Sequence, residues 1–191
     1  SDLVALGTTQ VASLTTAQVV GLGSTQISSM TTTQLVAMTT AQIAAMQTAD
    51  VAALGTTQVA SLTTTQLVSA TTAQIAGLTT AQVAGLGTTQ VSALLTSQLA
   101  AMTTTQIAAM ETSDLAVVTT SQLAGLTTAQ MAAMTTTQVV SLGTSQVASL
   151  TTKQLAAMTT TQIVAMETSD LAVVTTSQLA GLTTAQMAAM T

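Results

Sequence analysis

The stretch LTTAQVAGLGTTQ, Leu78 to Gln90, reaches Gln82 and then returns to Gln eight residues later. A continuous α-helix turns about 100° per residue, so eight residues overshoot two full turns by about 80°. The apolar pairs Val83 and Leu86, then Val91 and Leu94, would wind around every side of such a helix, and no single face could be buried. The chain must therefore break direction once per octad.

The break is legible in Leu78-Thr79-Thr80-Ala81-Gln82-Val83. Thr79 and Gln82 have the S/T-x-x-E/Q spacing of a capping box, in which each side chain satisfies a backbone N–H of the first helical turn. Leu78 and Val83 then fall at the flanking positions where a hydrophobic staple forms. The Ala and Leu of the remaining positions favour helix. Each octad reads as one capped helix of about two turns followed by a corner. A second placement puts the cap on the less variable second Thr (Thr80, Thr88), with Gly7, Gly23, Gly55, Gly87 and Gly143 as left-handed ends of the preceding helix. The spacing leaves this one-residue choice open.

Written in eights, residues 1–191 form a single array of about 24 octapeptides with no insertion or deletion. Gln occupies 20 of the 24 marker positions, and Asp occupies Asp2, Asp50, Asp114 and Asp170. Val, Ile, Leu or Met always follows, then two small residues, then usually Leu or Met. The Thr preceding the variable position is nearly fixed, Ser24 being the departure. Residues 98–135 recur at 154–191 with one change, Ala108 against Val164, an offset of seven octads. Copying at this fidelity implies that array length can vary while each unit keeps its task.

Such a fixed period predicts an all-α solenoid of very short helices, stacked into a thin aliphatic core. The competing architecture is a β-solenoid, favoured by Thr, Val and Ile. Against it, the two apolar positions lie three residues apart, which breaks strand alternation. The Gln side chains are expected to pair with backbone or with one another in a ladder.

Composition narrows the function. The 191 residues contain no Phe, Trp, Tyr, His, Cys or Pro, one basic residue (Lys153) and six acidic ones, for a net charge of -5. Without His or Cys, and with one Lys, the usual base and nucleophile pairs are missing, so no enzyme and no cofactor is expected. One Lys makes no phosphate-binding patch, so nucleic acid is not an expected partner. Thr and Gln interrupt every apolar run, which argues against a transmembrane helix. Surfaces this poor in charge favour self-association. The chain opens on Ser1, as a processed product or a fragment would, and neither end carries a polar capping repeat. End-to-end association or further repeats of the same protein are therefore the expected partners.

Four carboxylates stand out as two ETSD pairs, Glu111 with Asp114 and Glu167 with Asp170. They are weak Ca²⁺ candidates, because two carboxylates make a poor cage without further oxygens. The plainer reading is acidic residues at a helix start, where the dipole favours negative charge. The methionines Met30, Met38, Met46, Met102, Met110, Met158 and Met166 fall on the Leu position and read as core. The glycines read as corners and not as phosphate loops, since no Gly-x-Gly-x-x-Gly is present. Regular Thr ranks make ice binding a second functional reading.

The unit Leu126-Thr-Thr-Ala-Gln-Met-Ala-Ala-Met134 resembles the Leu-Thr-x-x-Gln arrays of very large bacterial secreted and surface proteins, often termed adhesins. The resemblance covers the whole chain. It implies an extended extracellular or cell-surface scaffold with no catalytic residues. The combined expectation is a structural repeat protein acting as spacer, stalk or filament subunit. The alternative is a surface-binding module.

Overall fold

A computed structural model describes residues 2–190. Those residues form a short 3₁₀ turn, Asp2–Ala5, followed by 23 α-helices, one per octad, with no strand among them. The all-α solenoid is the observed architecture, and the β-solenoid is excluded. Each helix has four to six residues, about a turn and a half and so shorter than the two turns expected.

The cap sits on the first Thr, not the second. The hydroxyl oxygen of Thr79 accepts from the Gln82 N–H at 3.2 Å, and Gln82 Oε1 accepts from the Thr79 N–H at 2.7 Å. Fourteen of the 23 helices carry this reciprocal box on Thr. The capping Thr is extended (φ −72°, ψ 158° at Thr79), which turns the chain into the next helix. Gly7, Gly23, Gly55, Gly87 and Gly143 occupy the same cap position and are likewise extended. They are not left-handed helix ends, for no described residue has positive φ. Glycine is a competent N-cap, and its N–H still donates to the Gln three residues on, at 2.6 Å for Gly55 and Gln58.

Two compact units, Ser1–Ala101 and Met102–Thr191, divide the chain. Within each unit a helix packs on the third helix after it: Thr8–Ala12 on Thr32–Ala37, Thr40–Ala45 on Thr64–Ser69, and Thr128–Ala133 on Thr152–Ala157. The Gln of the fourth helix on reaches back to the end of the first, across 28 to 31 residues. Each helix therefore packs on its third neighbour while its Gln reaches the end of the fourth, which puts about three and a half octads in a turn.

Winding the chain this way buries one stripe of each helix. The aliphatic residue after Gln (Val83, 0% exposed) and the Leu or Met before the next cap (Leu86, 4%) line the interior, together with the staple residue Leu78. The seven methionines named above are all buried there. A small apolar cavity of about 20 Å³ lies beside Ala70, between Met46, Leu54, Leu62 and Leu78. Ala70 is the one Ala at a position held elsewhere by Leu, Met or Val.

Candidate functional site

The recurring polar feature of the interior is the glutamine joint. Gln74 is 1% exposed. Its Oε1 is taken by the cap, and its Nε2 donates to the carbonyls of Ile43 at 2.8 Å and Met46 at 2.7 Å, one turn back. Both lie at the C-terminal end of the helix Thr40–Ala45, where the last carbonyls have no intrahelical partner. One side chain thus caps the start of its own helix and the end of another.

The pattern recurs with little variation. In the first unit the distance from Nε2 to the carbonyl 28 residues back is 2.6–2.8 Å from Gln34 to Gln98. In the second unit it is 2.6–2.8 Å from Gln130 to Gln186. The amides bond to backbone and do not form a Gln ladder, which decides between the two pairings left open by the sequence. A buried amide is tolerable because both its donor and its acceptor are used.

The near-fixed second Thr has a different task. It occupies the first helical position, and its methyl lies under the small residue 29 positions later. A Cβ added at Gly77 would strike Cγ2 of Thr48, and one at Gly181 would strike Cγ2 of Thr152. Gly85 stands in the same relation to Thr56, at 3.6 Å. Sequence reasoning missed this contact, although the invariance of that Thr was its signal.

Asp replaces Gln at three described joints, and the consequences differ. At Asp50 the loss is compensated: Ser24 Oγ donates to Oδ1 at 2.8 Å and the Gln47 N–H donates to Oδ2 at 3.2 Å. Gln47, moved to the cap position, donates its own amide to the Val20 carbonyl at 3.1 Å. The two exceptions of the octad pattern, Ser24 and Asp50, are thus partners.

The ETSD octads are built otherwise. Glu111 and Glu167 stand at the cap positions, and Asp114 (1% exposed) and Asp170 (3%) at the joints. Burial pushes the Asp114 carboxyl above its ordinary value of 3.8, the nearby Glu111 charge adds to the rise, and the Glu111 N–H opposes it. Asp170 is raised in the same way, by burial first and by Glu167 second. Asp114 Oδ2 is buried and has no hydrogen-bond partner. Among the described residues no three His, Cys, Asp or Glu side chains converge, so a cage made of carboxylates alone is not present. No helix among them is long and apolar enough to cross a membrane.

Comparison with protein families bears on the same octad. The ALTTAQ repeat model matches eight overlapping segments, residues 1–32, 21–48, 29–64, 43–80, 71–105, 107–144, 140–168 and 163–191. The chain belongs to the ALTTAQ repeat family. The family motif ends on the joint Gln, as in Gly77-Leu78-Thr79-Thr80-Ala81-Gln82, so the residue that marks the ALTTAQ unit also ties its turns together. Comparison with curated proteins gives no match.

Proposed function

We propose that this ALTTAQ array is a structural scaffold, a spacer or filament-forming segment whose octads do mechanical work and no catalysis. The observation that carries the reading is the direction of the joint. From the second turn on the joint Gln donates backward, and short of the last turn the aliphatic residue after it is buried, so adding a turn repeats the same contacts without a built-in stop. At the first turn Gln10, Gln18 and Gln26 are exposed, and their Nε2 groups have no partner, while Val11, Val19 and Ile27 are fully buried. At the last turn the pattern inverts: Gln178 and Gln186 are buried, whereas Leu179 and Met187 are 36% and 45% exposed. One face offers amide donors, and the other offers carbonyls and aliphatic side chains. A further turn of the same repeat is complementary to each.

The partner in this reading is more of the same repeat, not a nucleic acid, for which a single Lys supplies no counter-charge. An extracellular or cell-surface setting is part of the proposal and is supported by the resemblance to the arrays of large bacterial surface proteins. Ice binding is less well supported. The half-octad stagger between turns aligns Thr corners only every second turn, roughly 16–20 Å apart for helices packed at about 8–10 Å. Electron microscopy of the purified chain at several concentrations tests the reading. Fibres of uniform width that lengthen with concentration are expected, and monodisperse particles at every concentration would refute end-to-end stacking.

A further inference from the structure

We propose that the ETSD octads are weak joints built into the array, the places where it opens first. In the second unit the joints form a series. The carbonyls of Val118, Leu126 and Met134, then of Leu150 and Met158, each accept the Nε2 of the Gln 28 residues later, at 2.6–2.8 Å. Leu142 falls in the gap. Its donor would come from position 170, where Asp stands, and ionised Asp has no hydrogen to give. Among the described residues no side chain donates to the Leu142 carbonyl. Leu142 is 4% exposed, so its carbonyl lies in the interior without the partner that its counterparts have.

The cap is weak at the same octads. Glu111 and Glu167 stand where a Thr hydroxyl otherwise accepts from the first helical turn, and neither side chain makes a cap hydrogen bond. The identical octad 56 residues earlier repeats the defect, since Asp114 Oδ2 is buried with no partner. An unpaired buried polar atom carries the full cost of its lost hydration. Contacts in such an array are confined to neighbouring turns, a joint reaching back at most 31 residues. A local deficit therefore stays local and makes that segment the first to open.

Asp by itself does not make a weak joint. At Asp50, Ser24 Oγ donates to the carboxylate at 2.8 Å, and Gln47 at the cap donates its amide to the Val20 carbonyl at 3.1 Å. Of the three acidic joints described, one is repaired and two are not. The unrepaired two lie seven octads apart, in an array whose octads are otherwise interchangeable. A scaffold under load then yields at fixed positions while the turns between them stay wound. Such staged opening does not depend on end-to-end stacking.

Native-state hydrogen exchange of the whole chain, read by mass spectrometry of peptic fragments, is the test. In the parent, the amides of Thr168–Leu171 are expected to exchange faster than those of Thr160–Ala165. Asp170→Gln restores a donor for Leu142 and should slow exchange at Thr168–Leu171 about 5- to 150-fold, the ratio that one unpaired buried group sets. Fraying at the chain end would be untouched by that substitution, which separates a weak joint from a loose end. Ser24→Ala supplies the converse in the first unit. It leaves a buried Asp50 oxygen unpaired and should speed exchange at Thr48–Ala53 about fivefold or more. Equal exchange of Thr168–Leu171 and Thr160–Ala165 in the parent, or no slowing in Asp170→Gln, would overturn the proposal. So would unchanged exchange of Thr48–Ala53 in Ser24→Ala.

Discussion

Replacing Gln74 with Ala should cost far more than removing the cap it serves. Gln74 Nε2 is the bonded donor to the carbonyl of Met46, a residue 4% exposed. Without it that oxygen is buried and unpaired, at a cost of about 1–3 kcal/mol. The Ile43 carbonyl keeps the Met46 N–H at 3.2 Å and loses less. Loss of the Oε1 half of the capping box adds about 0.5–1 kcal/mol at an exposed corner. Removing the buried side-chain methylene adds about 0.8 kcal/mol. The sum is about 2–5 kcal/mol. Thr71→Ala in the same octad removes only the acceptor for the Gln74 N–H and should cost about 1 kcal/mol. Urea unfolding followed by circular dichroism measures both, with native-state hydrogen exchange at Ile75 reporting local opening. Equal destabilisation of the two variants would show that Gln74 acts as a cap alone and that the joint between turns contributes nothing.

Two further outcomes follow from the interior. The raised Asp114 and Asp170 carboxyls bind a proton more tightly folded than unfolded, so their contribution is complete below 3.8 and is lost as pH rises through the folded values. The chain should therefore gain stability on acidification from neutrality. Urea midpoints across pH should show a rise in the parent and none in Asp114→Gln with Asp170→Gln. Ala70→Leu should fill the cavity beside Met46 and Leu62 and stabilise by about 1–2 kcal/mol in urea unfolding. A loss of stability would mean that the turn cannot admit the side chain.

The helix within each octad was legible because its signals are local. Thr79 and Gln82 sit three residues apart, Leu78 and Val83 flank them, and the box and buried pair are observed there. The winding was not legible, since it depends on what lies 28 residues away. In an array of near-identical octads any offset that is a multiple of eight looks equally good on the page. Only the exceptions break this degeneracy. Ser24 and Asp50 depart from the pattern 26 residues apart and touch, a clue that could have fixed the register. The Gly residues misled in one alternative because glycine at a corner suggests positive φ, whereas here Gly7 and its counterparts serve as extended N-caps. The ETSD pairs were visible as carboxylates, but the burial of Asp114 and Asp170 was not, because it depends on the winding that covers them.

Half-integral winding also sets a rule for changes of length. One octad advances the chain by two sevenths of a turn, roughly 100° in a solenoid of identical units. Inserting or deleting a single octad would leave every consensus contact intact yet swing whatever follows to a new azimuth. Seven octads come to about two turns, so a gain or loss of 56 residues comes close to preserving rotational phase. The near-identical segments 98–135 and 154–191 are offset by that length.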